Sequence, residues 1–107
     1  MKVMHEVPRG PEGLILKTIE EVLINIFGKK TFNKILLIMK SNYALEWEEI
    51  PKRSKEFSVV LHQILGTGSI IVEDLIIESL YNNLGIELPR KKDSSFSDYI
   101  DYLTRSS

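Results

Sequence analysis

The sequence contains no cysteine, which excludes disulfides, thiolate metal sites and cysteine nucleophiles together. A disulfide-free chain fits a reducing compartment, so a soluble, cytoplasmic protein is expected. Histidine is nearly as scarce, with only His5 and His62. A metal site needs three or four converging ligands. Neither histidine has a histidine or carboxylate four residues further on, and both are expected in solvent; no metal is expected. Long apolar runs are also missing. Lys17, Glu20 and Glu21 interrupt the best candidate before it reaches the ~18 residues of a membrane span. The stretch from Met1 to Gly13 lacks the apolar segment, roughly 7–15 residues long, of a signal peptide. An excess of one charge is absent too. Lys+Arg 14 against Asp+Glu 15 gives a net charge of -1, so no global field draws the chain to nucleic acid or an anionic membrane.

What is present is ordinary for a globular domain. Hydrophobic residues make up 43% and charged residues 27%, too apolar for a disordered chain. With 107 residues the chain is expected to form a single domain, 1–107, around one core. Ile and Leu supply most of the apolar mass, so that core is expected to be aliphatic.

Two segments follow one plan: an apolar helix, a glycine stop, and another apolar helix. The first runs from Leu14 through Gly28 to Met39, the second from Phe57 through Gly66 to Leu84. Aligning Gly28 on Gly66 also places Val22, Leu23 and Ile26 on Val60, Leu61 and Ile64. Internal duplication and the commonness of helical hairpins both account for that match. Pro8, Gly10 and Pro11 mark residues 1–12 as an arm. A helix is predicted from about Glu12 to Phe27, since Ile15, Ile19, Val22, Leu23 and Ile26 share one face at about 100° per residue. Thr31 is the expected cap of a second helix, with Phe32, Ile35, Leu36 and Met39 inward and Asn42 at its end. Residues 43–54 read as a packed loop with one helical turn, anchored by Trp47. A third helix covers Arg53 to Leu65, and a fourth, capped by Thr67 or Ser69, extends to Leu84. Residues 89–94 form a polar connector. Phe96, Tyr99, Ile100 and Leu103 recur at helical spacing behind a Ser95–Asp98 capping box. The fold class expected is all-α: a bundle of about five helices, two helix–Gly–helix hairpins plus a C-terminal amphipathic helix.

Catalytic signatures are lacking. No nucleophile-elbow sequence accompanies either histidine. Gly66-Thr67-Gly68-Ser69 opens a helix, as anion sites do, but has neither a P-loop lysine nor a dinucleotide spacing. The same residues are needed to end one helix and start the next, so no cofactor is expected. Glu73 falls inside the inward stripe of the fourth helix. It reads either as a buried acid or as a structural carboxylate paired with Lys52, Arg53 or Lys55.

Basic residues cluster at Lys29, Lys30 and Lys34 and again at Arg90, Lys91 and Lys92. The second helix therefore admits a nucleic-acid reading through Lys29, Lys30, Asn33 and Lys34. It has no arginine, and Leu37 and Ile38 occupy part of its outer side, so nucleic acid is the lesser alternative. Surplus hydrophobicity is the stronger signal. Ile24, Leu37, Ile38, Val59, Ile71 and Leu75 all lie off their helices' main apolar stripes. A helix apolar on two sides is central in its bundle or is covered by another chain. A partner interface is expected at Trp47, Ile71, Leu75, Leu37 and Ile38, with a homodimer or an unidentified protein as partner.

Residues 43–88 carry Leu45-Glu46, Ile50-Pro51, Phe57-Ser58, Leu65-Gly66-Thr67-Gly68, Val72-Glu73, Leu75-Ile76, Leu80-Tyr81 and Leu84-Gly85. In these residues the chain resembles a small archaeal family of helical signalling output-type domains, and Phe96 to Ile100 suits that family too. The resemblance implies an all-helical fold and a role in signalling output. It implies no catalytic residues, because the family has no established activity.

Overall fold

Glycines with positive φ set the two hairpins. In the computed structural model, which describes residues 10–87 and 94–105, α1 (Pro11–Phe27) turns into α2 (Lys29–Tyr43) at Gly28 alone. Gly28 has φ 88° and ψ 162°, a region closed to residues with a Cβ. Its N–H still donates to the Ile24 carbonyl (2.8 Å) and its own carbonyl accepts from Phe32. The second hairpin joins α3 (Ser54–Leu65) to α4 (Gly68–Leu84) through Gly66, φ 64° and ψ −145°. The Gly66 N–H donates to the His62 carbonyl at 2.8 Å, so the two stops are of one kind. A 3-10 turn (Trp47–Glu49) lies between the hairpins, and α5 (Phe96–Arg105) follows them. Among the described residues there are five α-helices and no strand.

Several ends differ from the sequence reading. Pro11 sits in the first turn of α1, where its missing N–H costs nothing, so the helix claims the last two residues of the expected arm. Residues 1–9 of that arm, His5 among them, and most of the 89–94 connector lie outside the described residues. The second helix starts at Lys29 and has no side-chain cap; Thr31 is inside it. The turn at Gly28 is so tight that no residue is left over to act as a capping linker. The helix also outlasts Asn42 and ends on Ala44 in the left-handed region, φ 52° and ψ 38°. The Leu45 N–H reaches back to the Met39 carbonyl there, a Schellman-type closure. Thr67 and Ser69 flank the start of α4, yet neither supplies a capping bond.

The core draws on every helix. Ile15, Ile19 and Leu23 of α1 are fully buried, as are Phe57 and Leu61 of α3, Ile76 and Leu80 of α4, and Ile100 of α5. Covering such a side chain is worth ~1.5–3 kcal/mol. Helix α1 is the centre of the arrangement, packing on α4, α2 and α5, while α3 packs on α4 and α5. Helices α2 and α4 both lean on α1 and hardly touch each other. Ile26 departs from expectation: it is 42% exposed, while Phe27 beside it packs partly against the core.

The loop between the hairpins is closed from inside and outside. Leu45 and Ile50 are buried, and Trp47 meets Phe32 edge-on at 5.6 Å. Outside, Arg53 is a hub. Its guanidinium donates to Glu56 through Nε (2.7 Å) and Nη2 (2.6 Å), to Glu49 (3.0 Å) and to the Ala44 carbonyl (3.0 Å). That bidentate pair and the Glu46 N–H on Glu49 hold both carboxyls below their ordinary values. At the tail the expected capping box forms in full. The Ser95 N–H donates to Asp98 Oδ2 (2.9 Å), and the Asp98 N–H donates to Ser95 Oγ (3.3 Å).

Candidate interaction surface and the Glu73 cavity

Apolar side chains run almost all the way round α4. One side, Val72, Ile76, Ile77, Leu80 and Tyr81, is buried against the bundle. On the other side Ile71 is 66% exposed and Leu75 40%. They are one turn apart and therefore adjacent, with exposed Asp74 and Glu78 completing the same face. Ile70, 57% exposed, was not picked out in the sequence. Its wheel position beside Ile77 suggests burial, but it comes where α5 has just begun, and cover is incomplete. Helix α2 has a matching outward residue in Leu37, 64% exposed, flanked by exposed Asn33, Lys34, Lys40 and Ser41.

Other residues proposed for an interface are less available. Ile38 and Trp47 are half-buried, and Ile24 packs partly on the core. Val59, 53% exposed, borders a shallow apolar recess of about 310 Å³ with Tyr43, Leu45 and Val60 between α2 and α3. Lys29, Lys30, Asn33 and Lys34 are all exposed on α2, which bears no acidic residue. Lys29 and Lys30 stand at the positive end of their own helix, where the macrodipole disfavours them; local helix stability does not account for their presence. Arg90, Lys91 and Lys92 lie outside the described residues.

Glu73 lines a cavity of about 280 Å³ between α3, α4 and the start of α5. Its other walls include Ser58, Ile70, Asp74, Ile77, Phe96 and Tyr99. Among the described residues no basic side chain pairs with Glu73. Arg53 is committed to Glu49 and Glu56, and the partner of Glu73 is Ser58, whose hydroxyl donates at 2.5 Å. Partial burial raises the Glu73 pKa and Asp74 adds to the rise, while the Ser58 bond and His62 oppose it. The structure also brings His62 beside a serine, with Nδ1 3.3 Å from Ser69 Oγ. Ser69 is only 2% exposed, and a nucleophile must reach its substrate. The Gly66–Ser69 segment serves as the end of α3 and the start of α4.

Among the described residues no three His, Asp or Glu side chains converge as a metal site. No helix there is long and apolar enough to cross a membrane. No family model, curated protein or solved structure matches the chain, so function is argued from its surface.

Proposed function

We propose that this chain is a non-enzymatic helical interaction domain that self-associates as a homodimer through the outer face of α4. The observation that carries the reading is the exposure of Ile71 and Leu75, 66% and 40%, on a helix whose other side is already core. Fully covering such a side chain is worth ~1.5–3 kcal/mol. Ile71, Leu75 and Leu37 together supply enough to offset the ordering costs of association. The output role implied by the sequence resemblance, an archaeal setting and a cytoplasmic location belong to the same proposal. In it the dimer is what a signalling partner recognises.

Light scattering behind size exclusion, over a concentration series, tests it. Wild type is expected to approach twice the mass of the chain as concentration rises. Leu75→Asp is expected to stay monomeric with an unchanged helical circular dichroism signal. Collapse of that signal would place Leu75 in the core, and a wild-type monomer throughout would sink the reading. A second reading, nucleic-acid binding through Lys29, Lys30, Asn33 and Lys34, is favoured only by the all-basic character of α2. It requires binding that weakens steeply with salt.

A further inference from the structure

Three of the five α-helices, α1, α3 and α5, carry charge of both signs; the two exceptions are α2 and α4. Helix α2 bears Lys29, Lys30, Lys34 and Lys40 and no acid; α4 bears Glu73, Asp74 and Glu78 and no base. They are also the helices with the most exposed aliphatic residues, Leu37 at 64% and Ile71 at 66%. In a chain of net charge -1, the two sticky faces are thus oppositely charged and self-complementary. Within one chain they hardly touch.

The spacing gives the fit. Ile71, Asp74, Leu75 and Glu78 stand at i, i+3, i+4 and i+7, the four corners of a hole on a helix surface that accepts one side chain of a facing helix. All four are exposed. Leu37 is the matching knob, with Lys34 and Lys40 three residues to either side, about 4.5 Å along the axis. A leucine seated between Ile71 and Leu75 brings a lysine beside Asp74. We infer that the occupant of the α4 face is α2 of a second copy of this chain, with Leu37 seated in the Ile71–Asp74–Leu75–Glu78 hole and Lys34 opposite Asp74. The inference rests on the self-association proposed above and adds its pairing.

Lys34→Glu and Asp74→Lys test it, because each places like charges at every copy-to-copy contact of a pure sample. Each variant alone is expected to associate about tenfold more weakly than wild type. An equimolar mixture of the two restores opposite charges at both contacts and is expected to return to wild-type affinity, as is the double variant. Both sites are exposed, and unchanged thermal melts would confirm folding. If wild type dimerises and Leu75→Asp abolishes the dimer, but the charge variants associate normally or their mixture shows no recovery, the α2–α4 pairing is overturned and self-association stands. A wild-type chain that stays monomeric at every concentration overturns both and leaves the faces to a foreign protein or nucleic acid.

Discussion

Ile100→Ala measures how far the C-terminal helix belongs to the fold. Ile100 is fully buried on a helix that packs against α3, α4 and α1. Phe96 meets Phe57 at 6.0 Å and Tyr99 meets Tyr81 at 6.2 Å on either side of it. The substitution removes three carbon atoms, worth ~0.8 kcal/mol each in transfer, and the unfilled space adds to the loss. A total of about 3 kcal/mol is expected, inside the ~2–5 kcal/mol range for such truncations. Against a domain stability of ~5–15 kcal/mol that is a large share. Urea unfolding followed by circular dichroism should show a lower midpoint at unchanged slope, and the thermal midpoint should fall by roughly 10–20 °C. Ile76→Ala, at a fully buried site of α4, is the reference and should cost a similar amount. A loss under about 1 kcal/mol for Ile100→Ala beside about 3 kcal/mol for Ile76→Ala would refute the reasoning. A reduced slope would refute it too, since α5 would then be detaching separately.

Other outcomes follow from single features. Ala44 holds a left-handed conformation that penalises any side chain. Ala44→Gly is expected to stabilise by about 0.5–1 kcal/mol in chemical denaturation, and a destabilisation would contradict the cap geometry. Gly28→Ala places a Cβ at φ 88° and should cost about 1–3 kcal/mol by the same assay. The Thr18 hydroxyl is buried without a hydrogen-bond partner among the described residues, so Thr18→Val should stabilise by about 1 kcal/mol. For Glu73, partial burial lifts the folded pKa above the ordinary glutamate value. The folded chain therefore binds more protons than the unfolded one between those two values, and stability should fall as pH rises through that window. Glu73→Gln should remove this slope. The Glu49, Glu56 and Asp98 carboxyls are shifted the other way, so their contribution is lost only on acidification toward and below ordinary carboxylate values. Ser58→Ala should raise the Glu73 pKa further in an NMR titration, because the donor that favours its ionised form is gone.

What was legible in the sequence was mostly local. The Ser95–Asp98 box and the glycine stops depend on residues within a turn of each other, and both form as read. The anchoring of the middle loop by Trp47 was also readable, since a lone tryptophan among glutamates has few other places to go. The errors concern geometry that only packing decides. Ile26 has the right wheel position for burial, yet the packing around the end of α1 takes in Phe27 and leaves Ile26 part-exposed. Thr31 looks like a cap, yet a single glycine reverses the chain and leaves it two residues inside α2. Glu73 called for a cation on sequence grounds. The available arginine was already taken by Glu49 and Glu56, four residues before it and three after, a competition visible in the spacing. The actual partner, Ser58, comes from the facing helix and has no sequence signal at all. The residues offered for an interface rest on the same wheel arithmetic. It separates Leu37 and Ile71, which stand well clear of the bundle, from Ile24, which packs partly on the core, only once neighbouring helices are in place.

Separating lysines onto α2 and carboxylates onto α4 also puts two patches of opposite sign on a chain whose net charge is only -1. Its sequence pI is about 6.1, so near neutral pH the long-range repulsion that keeps proteins apart is nearly absent. Molecules then meet by orientation rather than by net charge. Such a solution is least soluble near its isoelectric point and is loosened by modest added salt, which screens the attraction between opposite patches. Measurements of this chain in dilute buffer and at physiological ionic strength will therefore sample different degrees of mutual alignment even where the fold is unchanged.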